Sequence, residues 1–102
     1  RDRIGFARRA GQAVAGWQVV KEWLAGGRVG LLVEAADGSP AERDRLVGSR
    51  DVPVVMPLPA AELGGVFGRD HAVHVALAPG RLAEILRVDA GRLAGIRGEG
   101  RV

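Results

Sequence analysis

The chain has no cysteine, threonine, tyrosine or asparagine, and only two serines and one lysine among its 102 residues. Without cysteine there is no disulfide, no thiolate nucleophile and no zinc–thiolate site. Ser39 and Ser49 sit in turn-like surroundings, and no Ser/His/Asp order or close carboxylate pair stands out. An enzyme is therefore not expected, and no cofactor is implied. No apolar run approaches the roughly 20 residues of a membrane helix, and no signal peptide is visible. A cytoplasmic protein is the expectation.

What is present suits one globular domain. An apolar content of 47% with 26% charged residues supports a single core at this length. Residues 1–102 are read as one domain with a frayed tail over 97–102. Because the first residue is Arg1 rather than Met, the piece is expected to come from a longer chain. The net charge of +3 is the work of Arg1, Arg3, Arg8 and Arg9 against Asp2; the rest carries 11 basic and 11 acidic residues. A nucleic-acid binder usually shows a basic stripe, since neutralising phosphates releases counterions. Here that footprint is confined to the N-terminus, which reads either as a solvated helix or as an RNA contact.

Glycine and proline punctuate the chain. Residues 2 to 10 form a predicted helix with Ile4, Phe6 and Ala7 as its apolar side chains and Arg8 and Arg9 outward, stopped by Gly11. Gln12 to Ala15 reads as a short strand. Gly16 opens a second helix whose Val19, Val20, Trp23 and Leu24 make one stripe, and Gly26-Gly27 ends it. Val29 to Ala36 is nearly all apolar, as a strand covered on both faces would be. Ser39 is placed to cap a helix with Pro40 in its first turn, and Glu42 three residues on completes the pattern of a capping box. That polar helix runs from Ala41 to Val47. Val52 to Met56 and Ala72 to Ala78 are further strands, the latter central because it alternates poorly. Between them, Pro57-Leu58-Pro59 leads into a helix ending at Gly68. A last helix from Pro79 offers Leu82, Ile85, Leu86, Leu93 and Ile96 on one face. Such alternation predicts an α/β/α sandwich around a small, mostly parallel sheet.

Two chemical motifs fail on inspection. Gly11 to Gly16 has phosphate-loop glycine spacing, but Trp17-Gln18 follows where Lys and Ser/Thr are required. His71 and His74, three apart on a predicted strand, would point to opposite faces and could not share a metal. One is expected at the surface and one partly buried with its hydrogen bonds met; no metal site is expected.

The order of Gly16, a helix, Gly27, an apolar strand and Asp37 resembles the ribosomal L-seven-Ae/L-thirty-e family, small RNA-binding domains that recognise kink-turns. The likeness runs on through Val52-Pro53 and Leu63-Gly64 to Gly68, and the opening Ala7-Arg-Arg-Ala-Gly11 is similar to bacterial members. The resemblance implies a three-layer α/β/α sandwich with a four-stranded mixed sheet, in which the Gln12–Ala15 strand lies antiparallel. It also implies a non-catalytic role on structured, kink-turn-like RNA, in ribosome- or transcription-termination-linked work. An upstream YlxR-like nucleic-acid-binding module is a further implication, and a monomer is favoured.

Carried over residue by residue, the family's Gly-x-Asn-Glu and following Lys fall at Gly16, Gln18, Val19 and Glu22. Gln18 keeps hydrogen-bonding ability; Val19 and Glu22 depart from the pattern. The family's nucleotide-cupping loop would correspond to Met56 through Glu62, with Leu58 against a base or packed on the helix below, and Ala60 another departure. Trp17 either stacks on an unpaired base or extends the core stripe of Val20 and Leu24. The expected RNA-binding set is Arg9, Gly16, Trp17, Gln18, Lys21, Arg28 and Leu58, with Arg9, Lys21 and Arg28 on phosphate. The alternative is a protein-interaction module of the same fold that has lost the RNA site, a reading favoured by Val19, Glu22 and Ala60. A ligand-binding enzyme would show itself as a deep polar pocket around His71 or His74.

Overall fold

The computed structural model describes residues 2–89. Along the chain come α1 (Asp2–Arg9), β1 (Ala13–Ala15), α2 (Trp17–Ala25), β2 (Leu31–Glu34), α3 (Pro40–Val47), β3 (Val54–Val55), α4 (Ala60–Val66) and β4 (His74–Leu77). A fifth helix, α5, occupies residues 81–89. Leu93, Ile96 and the 97–102 tail lie outside the described residues. The four strands form one sheet in the order β1-β4-β2-β3, so β4 is central, as its poor alternation suggested.

Strand alternation divides the core into two clusters. Leu31, Val33, Val75 and Leu77 pack with Ile4 and Ala7 of α1, Leu63 of α4, and Ala83 and Leu86 of α5. Leu32 and Ala76, on the opposite face, pack with Val20, Trp23 and Leu24 of α2 and Leu46 of α3. The result is a three-layer α/β/α sandwich on a mixed sheet. Phe6 departs from expectation. Ile4 and Ala7 are one turn apart and buried, but Phe6 lies about 200° round the helix from Ile4 and is 55% exposed.

The sheet is not mostly parallel. Only β2 and β3 run parallel, while β4 is antiparallel to both β1 and β2. The reversal comes after α4, where the chain does not run back along the sheet as it does through α3 between β2 and β3. The Ala72 amide donates to the Ala60 carbonyl at 2.9 Å, so the chain re-enters at the end where β3 left it. Gly64 permits that return, because a Cβ there would collide with the backbone of His71. The Val52–Met56 strand also shrinks to Val54–Val55; Pro53 accepts from the Leu32 amide but has no N–H to continue the ladder.

One end of the sheet therefore collects many chain segments. β1 and β2 end there, β4 begins there, and α2, α3 and α4 all start there.

Candidate functional site

The antiparallel register of β2 and β4 sets Glu34 directly opposite His74 at this crowded end, on the α2/α3 face. Both are buried, at 2% and 4% exposure. His74 Nδ1 lies 2.8 Å from Glu34 Oε1, and its Nε2 lies 2.7 Å from Glu42 Oε1 on α3. An oxygen of an ionised carboxylate accepts only, so both ring nitrogens must carry hydrogen for both contacts to hold. Burial works against that charge. The hydrogen bonds and negative charges of Glu34 and Glu42 outweigh it and hold the imidazole above its usual 6.5.

Glu42 was expected to complete a capping box. Half of it forms: Ser39 Oγ accepts from the Glu42 amide at 3.2 Å. The carboxylate is taken by His74 instead, where a buried cation offers a stronger, charge-assisted hydrogen bond than an exposed amide.

Above this chain of charges sits the start of α2. The Gly16 amide donates to the His74 carbonyl at 2.9 Å. Trp17 rests edge-on against the His74 ring, with centroids 5.3 Å apart and planes at 68°. Gly16 has φ 117°, which a side chain rarely tolerates, and it provides no side-chain cap. The first amides of α2 therefore have no capping side chain. α3 is closed by Ser39, and the Ala60 amide of α4 by Asp37 Oδ1 at 2.8 Å.

The loop between α4 and β4 borders the same place. The Arg69 amide donates to Gly64 O at 2.9 Å, and the Arg69 guanidinium lies beside Gly16, with Nη1 3.6 Å from where a Cβ would stand. Gly16, Trp17, Glu42, Arg69, His71 and His74 line an open cavity of about 250 Å³. His71 and His74 thus face one cavity rather than opposite sides, because His71 precedes β4 and strand alternation does not apply to it. His71 is exposed and His74 buried with its hydrogen bonds met. Both nitrogens of His74 are engaged, and among the described residues no cluster of three or more His, Asp or Glu could hold a metal ion.

The structure brings together only part of the expected set. Gly16 and Trp17 line the cavity, and Gln18 and Lys21 are exposed on α2, with Gln18 Nε2 donating to Glu22 Oε2 at 3.3 Å. Arg28 lies beyond the far end of α2, stacked over Trp23 at 4.6 Å. Arg9 belongs to α1 on the other face of the sheet, and Leu58 packs into the core cluster of that other face. The loop that meets the start of α2 is thus Arg69–Val73, not the proline loop. Glu34 and Arg69 escaped sequence reasoning, as did the pairing of His74 with Glu34 and Glu42. A signal existed for the Glu34–His74 pair: one acid and one histidine, each inside an otherwise apolar strand, must find partners when buried.

No protein-family model and no curated protein matches the sequence. Solved structures do. One, a protein of unknown function from Bacillus halodurans, superposes with a TM-score of 0.76 at 24% identity, over 84% of this chain and 90% of that one. Another, the Giardia lamblia 15.5kD RNA binding protein, gives 0.68 at 14% identity, over 92% and 83% respectively. The fold is shared with both.

Proposed function

We propose that this domain binds structured RNA, without catalysis, at the sheet end where α2 starts. The observation that carries the reading is the Arg69 guanidinium beside the uncapped amides of α2, with Trp17 adjoining. A guanidinium and uncapped helix amides both favour a phosphate, and a half-buried indole offers a face or edge to an unpaired base. The fold shared with the Giardia protein, which is described as binding RNA, adds support. His74 presents no free nitrogen to a substrate, so the cavity favours recognition over acid–base chemistry.

Gly16 allows close backbone approach, Gln18 hydrogen-bonds a base edge, and Lys21 adds charge on the same helix. Arg69 takes the phosphate role that Arg9 and Arg28 are too dispersed to share, and Leu58, packed on the core, is left out of the site. The RNA class is kink-turn-like, with a ribosome- or transcription-termination-linked role in the cytoplasm. The competing reading, a protein-interaction module, draws on one observation: the Gln18 amide is engaged by Glu22, which leaves an acid near the mouth.

The test is titration of a fluorescent kink-turn RNA against the same hairpin with its G·A pairs replaced, at about 0.15 M salt and at lower salt. Preference for the intact kink at both salts is expected, with Arg69→Glu losing affinity and keeping the melting temperature. Equal weak binding that collapses with salt would favour the protein-interaction reading.

A further inference from the structure

Glu42 stands between two possible partners. As the third residue of a helix capped by Ser39, its carboxylate has the position from which such residues return to the capping residue's own amide. In the structure it leans the other way, onto His74 Nε2. The lean depends on a proton. Three groups share this contact chain, and both nitrogen–oxygen contacts are short. If His74 loses one ring proton, one of the two contacts becomes lone pair against lone pair and must open.

Burial decides which. Glu34 is 2% exposed, and its second oxygen is buried without a partner among the described residues. Giving up its one contact would strand a buried carboxylate. The Glu42 side chain is 41% exposed, so on release it is hydrated at once. The ε proton therefore departs to solvent, and the Glu42 side opens.

We propose that Glu42 is a proton-controlled arm of the cavity, docked on His74 when the imidazole is doubly protonated and swung free when it is not. Docked, it shares the one positive charge of His74 with Glu34. Freed, it adds an uncompensated carboxylate to the cavity that holds Arg69, and it removes the ion pair beneath Trp17. If RNA binds here as proposed above, rising pH weakens that binding through Glu42. The charged and titratable groups around His74 are Glu34 from β2, Glu42 from α3, and Arg69 and His71 from the α4–β4 loop; α2 contributes the uncharged Trp17.

Two measurements on the whole chain test this. The first needs no RNA: NMR of the His74 ring and the Trp17 indole from about pH 5.5 to about pH 9. The expected result is one step above 6.5 that both signals share. In Glu42→Gln the amide can accept from a protonated Nε2 or donate to a bare one, so the Trp17 step should shrink to the part that comes from the His74 ring itself while His74 still titrates. The second is RNA affinity over the same range, expected to fall about fivefold or more in wild type and clearly less in Glu42→Gln, where no freed carboxylate reaches Arg69. A Trp17 step unchanged by Glu42→Gln would overturn the proposal. So would a pH response that survives Glu42→Gln and vanishes in His71→Gln. If the Trp17 step behaves as expected but no RNA binds at any pH, the arm stands and the RNA reading fails.

Discussion

Two helices start side by side at the same end of the sheet, and they are finished differently. α3 is closed in the ordinary way, with Ser39 accepting from the Glu42 amide and Pro40 in the first turn. α2 begins at Gly16 with no side chain on its amides, a left-handed backbone, and a buried histidine beneath its tryptophan. A cap serves stability alone. An open helix start with a guanidinium beside it forgoes that stabilisation and leaves its donors available to a ligand. On the proposed function the α3 start is the structural end and the α2 start the working end, and the carboxylate of Glu42 links them.

The strongest way to break the comparison is to remove what α2 rests on. His74→Ala would leave Glu34 buried and unpaired, at a cost of about 3–5 kcal/mol in denaturant unfolding. A core truncation of similar size on the opposite face, Leu63→Ala, should cost about 2–5 kcal/mol. The two are told apart by pH. Because the pKa of His74 is raised in the folded state, its contribution is complete below the ordinary 6.5 and is lost as pH rises through the raised value. Unfolding midpoints measured on either side of that range should show the loss in wild type and in Leu63→Ala, but not in His74→Ala.

A smaller effect sharpens the contrast between the two helix starts. Ser39→Ala removes a cap and should lower stability by about 1 kcal/mol, with no change in RNA affinity once the protein is folded. Arg69→Glu should do the reverse. Its guanidinium is at the surface, so the melting temperature should hardly move while affinity falls. Equal behaviour of the two variants would erase the distinction between a structural and a working end.

The local signals were readable in the chain. Gly11, Gly16 and Gly26-Gly27 mark the ends of α1 and α2 closely, because turns and helix ends need conformations that glycine adopts freely. Ser39-Pro40 announces α3 for equally local reasons. Strand direction was not readable from the alternation of elements, which predicted a mostly parallel sheet, whereas the family resemblance implied the mixed sheet and the antiparallel β1 that the structure has. The site was half readable. Gly16 and Trp17 are fixed by the helix they begin. The Glu34–His74 pair depends on the register of strands separated by 40 residues, and Arg69 reaches Gly16 only because α4 turns the chain back. Those are tertiary facts without a local signature. Leu58 shows the converse: of the two roles open to it, against a base or packed on the helix below, the structure has the packed one.

The proposed RNA contact is confined to one end of the sheet, and amide chemical-shift mapping during RNA titration reads that location residue by residue. The expected result is movement concentrated at residues 16–18 and 69–73, with Arg28, Leu58 and the exposed face of α1 nearly still. Movement concentrated at Arg9 and α1, or along β3, with the start of α2 unchanged, would contradict it.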